Sequence, residues 1–322
     1  MTDLRPEDFA KGADEKEESA LFDVVTAADM CVDLILQGNT RPQFSQHEQI
    51  VSSYCLELGG SANIFATQMA KLGAHTAVLG YVGCDAFGDF ALQRLKDCGV
   101  NLSLVKRDSS IPTGLGVALV EADDRAILTV LGSIDSSQPC DLPRYLGDLC
   151  KHWHVASPFL LRGLRSAWPE FLGRAKADGL TVSLDPNWDP EEAWEGIKEL
   201  LPLVDVFLPN KAEATALTGL SDSIEAGRQL AMSCPLVVVK RGSRGAIAVR
   251  GDRVWEIEAS PVRTSDGHPV DTVGAGDNFD AGFLRAWMLG REIDICLSLG
   301  SRCASASLTS EGGIRGQWTG LI

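Results

Sequence analysis

Short apolar runs alternate with longer helix-patterned runs along this chain from residue 22 onward, and that alternation limits its possible folds more than any other feature. Phe22 to Ala28, Thr76 to Val82, His152 to Ala156, Leu180 to Leu184, Asp205 to Leu208 and Leu236 to Val239 have the length and character of buried strands. Ser61 to Leu72, Phe87 to Asp97, Leu164 to Ala177, Glu191 to Leu200 and a segment from Asn210 read as helices, with Ile64, Met69 and Leu72 among the apolar positions of the first. Strands separated by helices are joined by crossovers and lie parallel, and a parallel sheet needs cover on both faces. The expected class is α/β: a three-layer α/β/α sandwich around a mostly parallel central sheet, with ligands at the carboxyl ends of its strands.

Two segments interrupt this rhythm. Residues 34–56 carry polar interruptions, and within 113–131 the runs Gly114 to Glu121 and Ala126 to Leu131 flank Asp123-Asp124 as a hairpin does. The expected organisation is a core of residues 21–33, 57–112 and 132–322, with 34–56 and 113–131 paired into a small β-sheet lid over the cleft. A lid that closes excludes water from a reaction. Residues 1–20, with Asp3, Glu7, Asp8, Asp14, Glu15, Glu17 and Glu18 and few large apolar side chains, are expected to be a disordered acidic tail rather than a signal peptide or membrane span.

The formal charge of −15 argues against a nucleic-acid groove or an anionic membrane surface, both of which need clustered Lys and Arg. Nine scattered cysteines without a Cys-x-x-Cys pair fit reduced thiols and a cytoplasmic protein. His152 and His154 flank Trp153 on one predicted strand, but no third ligand stands nearby, so a metal site is not expected there.

Chemistry is concentrated in Asp271-Thr272-Val273-Gly274-Ala275-Gly276-Asp277. A turn-forming run, Arg263 to Pro269, precedes it, and Phe279, Phe283 and Ala286/Trp287 follow at helical spacing, so Gly274 to Asp277 sits at a helix start. There the backbone N–H groups lack helical partners and the dipole is positive, so Gly274, Ala275 and Gly276 form an anion hole while Asp277 can accept the proton of an attacking alcohol. Asp also caps many helices without catalysing anything; the complete seven-residue run favours the chemical role, and the reaction implied is phosphoryl transfer to a hydroxyl. The chain has no Gly-Lys dipeptide, which removes the Gly-Lys-Ser/Thr phosphate loop, and Phe279 stands where a dinucleotide fingerprint needs its third glycine.

The seven residues resemble the signature of the ribokinase-like (PfkB) family of carbohydrate kinases, and the likeness runs from about Phe22 to Gly313. Ala28 to Asp33 resembles the family segment whose last aspartate binds substrate hydroxyls, which implies Asp33. Leu58 to Asn63 is similar to its double-glycine substrate loop, which implies Gly60 and Asn63; the interval from Asn63 to Gly73 is one residue longer than the family pattern, and Ile64 stands where some members have their asparagine. Leu184 to Pro190 resembles a strand-end motif with Asn187 in the cleft, and Asp189 replaces an arginine of several relatives, which argues against a sugar acid or sugar phosphate. Asn210-Lys211-Ala212-Glu213 fits the family's Asn-x-x-Glu element, implying Asn210 near phosphate and Glu213 ordering Mg²⁺-bound water. Lys240, Gly242 and Gly245, in a strand and glycine turn, and Ser307 in the last helix are implied at the nucleotide; Asp271 and Val273 are implied near a monovalent cation such as K⁺. The resemblance thus implies a magnesium- and ATP-dependent kinase acting on the hydroxymethyl group of a small sugar, with possible homodimers through the lid. A nucleoside kinase, which would need an aromatic clamp such as Phe44 or Tyr54, and a catalytically silent sugar-binding regulator are the alternatives.

Overall fold

A computed structural model describes residues 21–121, 124–265 and 267–320. The acidic N-terminal segment and Asp123 of the hairpin turn lie outside the described residues. In chain order the elements are β1 (Phe22–Ala27), β2 (Cys31–Gln37), β3 (Ser53–Gly59), α1 (Ser61–Lys71), β4 (Thr76–Gly83), α2 (Ala86–Asp97), β5 (Asn101–Asp108), β6 (Gly114–Glu121) and β7 (Asp124–Val130). There follow β8 (Cys150–Val155), α3 (Trp168–Ala177), β9 (Thr181–Leu184), α4 (Ile197–Leu200), β10 (Val206–Phe207), α5 (Lys211–Thr218), α6 (Ser223–Leu230), β11 (Leu236–Lys240), β12 (Ala246–Arg250), β13 (Arg253–Ile257), α7 (Ala275–Met288) and α8 (Ile293–Ser307).

The described strands form a nine-stranded sheet ordered β13-β12-β11-β10-β9-β8-β1-β4-β5 and a four-stranded sheet ordered β3-β2-β6-β7. In the large sheet only β12 is reversed, pairing antiparallel with both β11 and β13, and the other described pairs are parallel. Alternate residues of its strands feed two apolar layers, as the two-residue side-chain period requires. Val25, Trp153, Val182, Phe207 and Val237 pack with Trp168, Phe171 and Leu217 under α3 and α5, whereas Val24, Val206, Leu236 and Val238 pack with Phe65, Phe283 and Leu299 under α1, α7 and α8. The three-layer α/β class expected from the alternation is observed.

The small sheet begins at Cys31 and β3 continues to Gly59, so Asp33 lies inside a strand of that sheet and not at the end of the core strand β1. Helix formation between residues 191 and 200 is confined to Ile197–Leu200. The buried Asp189 carboxylate accepts hydrogen bonds from the backbone N–H groups of Glu191, Ala193 and Trp194, a local pattern that competes with helix. His152 and His154 share the Ser183 hydroxyl at 2.7 and 2.8 Å, and His154 stacks on Phe65, so the pair is a hydrogen-bonded part of the core.

Candidate active site

β1, β8, β9, β10 and β11 end on the same edge of the sheet, and the chain just beyond them brings Asp29, Ser157, Asp185, Asn187 and Asn210, with Lys240 and Gly242, to one cleft. Its cavity measures about 490 Å³, with the N-terminus of α7 on one side and the cleft-facing residues of the small sheet on another.

Gly274 caps α7 with φ of 73°, a left-handed conformation that favours glycine, and a Cβ there would meet Gly313 Cα at 2.8 Å. The Asn278 side-chain amide, unassigned by the sequence reading, donates to the carbonyls of both Gly274 and Gly313 at 2.8 Å, tying the turn to the C-terminal segment. Thr272 to Asp277 all line the cleft, so the amides of the first helical turn, which have no helical partners, open onto it. Asp277 is only 9% exposed. Burial pushes its carboxyl up to about 8; nearby Asp185 and Asp29 add to this, while Lys240 and a hydrogen bond from Ser61 oppose it.

At the acceptor end, the Asp33 carboxylate on β2 lies between two glycines. A side chain at Gly59 or Gly116 would come within 2.5 or 2.4 Å of Asp33 Oδ1. Gly60 has φ of 86°, and a Cβ on it would meet the Asp29 carbonyl at 2.3 Å. Asp29, Ser157, Asn187 and Ser61 close a ring of hydrogen bonds. The Ser157 hydroxyl donates to Asp29 Oδ2 at 2.8 Å, Ser157 N donates to Asn187 Oδ1 at 2.7 Å, Asn187 Nδ2 donates to Ser61 Oγ at 3.0 Å, and Ser61 N donates to Asp29 Oδ2 at 3.0 Å. Ser157 and Asn187 both hold φ of 50°, strain of the kind that collects at functional sites.

Three expected contacts do not reach the cleft. Asn63 is fully buried in the first turn of α1 with Nδ2 donating to the Gly59 carbonyl, and Ile64 lines the cleft instead, as the one-residue offset in the loop requires. Gly245 serves the β11–β12 turn: its φ is 76° and a Cβ would lie 1.9 Å from the Ile257 carbonyl. Ser307 is buried on α8 with its hydroxyl donating back to the Ala304 carbonyl. Phe44 and Tyr54 are likewise outside the cleft. Tyr54 pairs with Leu36 on the face of the small sheet opposite Asp33 and Ile35.

At the other end, Asn210 and Glu213 form a reciprocal cap on α5: Asn210 N donates to Glu213 Oε2 at 2.7 Å and Glu213 N to Asn210 Oδ1 at 3.0 Å. Burial and then Asp185 push the Glu213 carboxyl up to about 7. Gly242 lines the cleft with open space where a side chain would stand. Lys240 lines it too, but its ammonium is bonded to Asp185 and Asp280. Asp271 accepts from Val273 N and Gly312 N, both at 2.9 Å, and so joins the signature turn to the C-terminal segment. Among the described residues no three His, Cys, Asp or Glu side chains gather as a metal cluster. Asp185 and Asp280 were not singled out from the sequence; the spacing of Asp277 and Asp280, one helical turn apart, was the available signal.

The family model described as "pfkB family carbohydrate kinase" matches residues 23–319. An "uncharacterized sugar kinase" of Archaeoglobus fulgidus is 30% identical over 259 residues, which are 77% of this chain and 97% of that protein. The crystal structure of adenosine kinase from Sinorhizobium meliloti matches with a TM-score of 0.80 at 24% identity, covering 92% of this chain and 96% of that one. A fructokinase double mutant from Vibrio cholerae O395, in its fructose-, ADP- and potassium-bound form, matches with a TM-score of 0.75 at 26% identity, covering 93% and 96%. With the signature turn, the fold and the cleft in agreement, this chain belongs to the pfkB family of carbohydrate kinases and is a phosphotransferase.

Proposed function

We propose that this enzyme transfers the γ-phosphoryl group of ATP to a hydroxymethyl group of a small neutral sugar, with Asp277 as general base and the Gly274 to Gly276 amides as the anion hole. The observation that carries this reading is the Asp277 carboxyl in the first turn of α7, inside the cleft and beside amides that lack helical partners. The acceptor oxygen forms its bond to the γ-phosphorus as the bond to the β–γ bridging oxygen breaks, ADP leaves with that electron pair, and the hydroxyl proton passes late to Asp277.

A neutral acceptor is supported by charge. Among the described residues lining the cleft, Lys240 is the one Lys or Arg and two carboxylates already engage it, whereas Asp29, Asp33 and Asp277 face the cavity. A sugar acid or sugar phosphate would find only the already engaged Lys240 among the Lys and Arg residues there. Asp33, Gly60 and the Asn187 ring are proposed to bind or frame the sugar. The small sheet contributes Ile35, Ala118 and Ile127 to the cleft, apolar surface without the aromatic clamp a nucleoside kinase would draw from its lid; Trp188 lines the cleft from the loop after β9.

Mg²⁺ arriving with ATP needs few protein ligands, and Glu213 beside Asn210 fits a carboxylate that orders its water. The oxygen-rich turn at Asp271 and Val273 fits K⁺, the ion bound by the similar fructokinase. The small sheet is proposed to act as a lid over the acceptor. Its outward face carries Leu36, Tyr54, Leu119 and Leu128, with Tyr54 and Leu128 74% and 59% exposed, which supports pairing of two copies through their lids. Nine unpaired thiols support a reducing cytoplasm.

ADP release from Mg·ATP against fructose, ribose, 2-keto-3-deoxygluconate, adenosine and fructose phosphates tests the assignment. A neutral sugar is expected to be turned over, and Asp277→Asn is expected to bind both substrates while losing at least about 100-fold in kcat. Retention by that variant of more than about a tenth of kcat, a loss under ~1.4 kcal/mol, would remove Asp277 as the base.

A further inference from the structure

Lys240 is in the cleft, yet two of the three donors of its ammonium are already taken by buried carboxylates. It lies 2.6 Å from Asp185 Oδ2 and 2.8 Å from Asp280 Oδ2, and all three side chains are at least nine-tenths buried. The three come from the end of β11, the residue after β9, and α7 one turn beyond Asp277. The ammonium also underlies the anion hole, since a Cβ on Gly276 would stand 3.5 Å from Lys240 Nζ.

One ammonium between two buried carboxylates leaves an excess negative charge, which a low-dielectric interior disfavours. The excess is relieved at Asp280, whose Oδ1 is buried with no hydrogen-bond donor among the described residues. Burial holds its carboxyl well above the ordinary range. Burial also raises Asp185, but Lys240 and hydrogen bonds outweigh it and keep that group ionised. The trio is then neutral: one carboxylate, one ammonium and one carboxylic acid.

We propose that Lys240 is a positioning residue for phosphoryl transfer and not a nucleotide ligand: its ammonium cancels the Asp185 charge beneath the first turn of α7, so that Asp277 can stand ionised beside the acceptor hydroxyl. This rests on the reading of Asp277 as base. Asp277 is faced by Asp185 after β9, Asp29 after β1, Ser61 at the start of α1 and Lys240 on β11. Asp280 lies on its own helix, and Glu213 of α5 and His154 of β8 face the Lys240–Asp185 pair. Lys240 is the cation in that set, so its loss leaves Asp277 beside uncompensated negative charge.

The test is the pH profile of kcat/KM for the sugar at saturating Mg·ATP in the wild type, Lys240→Met, Asp185→Asn and the double variant. Lys240→Met is expected to move the acid limb up by about one pH unit or more, with KM for ATP changed less than about threefold. Asp185→Asn is expected to move the limb down. The charge-balanced double variant should return it to within about 0.3 unit of wild type. If Lys240→Met does not fold, the double variant and Asp185→Asn still decide the matter. An unmoved limb with KM for ATP raised about tenfold or more would make Lys240 a phosphate ligand and overturn the proposal, as would a double variant whose limb stays displaced. Substantial turnover by Asp277→Asn would overturn the base assignment and this inference together; an inactive Asp277→Asn with an unmoved Lys240→Met limb would overturn this inference alone.

Discussion

Burial that pushes the Asp277 carboxyl up to about 8 has opposite consequences for turnover and for stability. The base must be ionised, so kcat/KM is expected to rise about tenfold per pH unit up to about pH 8 and then level, readable from initial rates across pH 5.5 to 9. For stability the sign reverses. Between the ordinary carboxyl value of 3.8 and about 8 the folded protein binds this proton and the unfolded chain does not, so the contribution of this site falls as pH rises through that window. Asp277→Asn, which cannot ionise, should therefore melt at a higher temperature than wild type at pH 8.5 and close to wild type near pH 5. Equal melting shifts at both pH values would count against the raised carboxyl. Asn187, which the family resemblance implied, does line the cleft, and hydrogen bonds with Ser157 and Ser61 fix the orientation of its side chain there.

Among the elements, α7 was the most legible, because glycines before a helical apolar stripe mark a helix start through local backbone chemistry alone. The loop that supports it was not. Asn278 reaches Gly313, 35 residues along the chain, and that contact holds the signature turn against the C-terminal segment. Asn278→Ala removes a buried donor from two carbonyls and should cost about 1–3 kcal/mol in urea unfolding. It should also lower kcat by roughly tenfold as the anion hole loosens. Unchanged kcat in a destabilised variant would confine Asn278 to folding. The segment 191–196 failed as a helix for a local reason that composition hides: the Asp189 carboxylate captures the backbone donors of Glu191, Ala193 and Trp194 before helical bonds form.

For the molecule as a whole, the small sheet leaves apolar side chains such as Tyr54 and Leu128 exposed on its outward face. β2, β3, β6 and β7 turn Asp33, Ile35, Gly116 and Thr129 toward the cleft and leave Leu36, Tyr54, Leu119 and Leu128 on the opposite face. Burying that face against a second copy predicts a dimer in light scattering. Leu128→Lys should then shift the protein to monomer by desolvating a charge at the seam, with the cleft residues untouched. A wild type that scatters as a monomer at every concentration would remove the lid-to-lid arrangement.

The α/β class, the start of α7 and the chemical type of the site were determined by the sequence alone, because strand period, helix period and turn chemistry act over a few neighbouring residues. The offset at Asn63 and Ile64 was visible there too, although only the helix could decide which side chain enters the cleft. Lys240 lies 55 residues from Asp185 and 40 from Asp280, and no local pattern couples them. Their charges meet because β9, β11 and α7 converge at one edge of the sheet, and the burial that makes those charges matter exists only once the layers have packed.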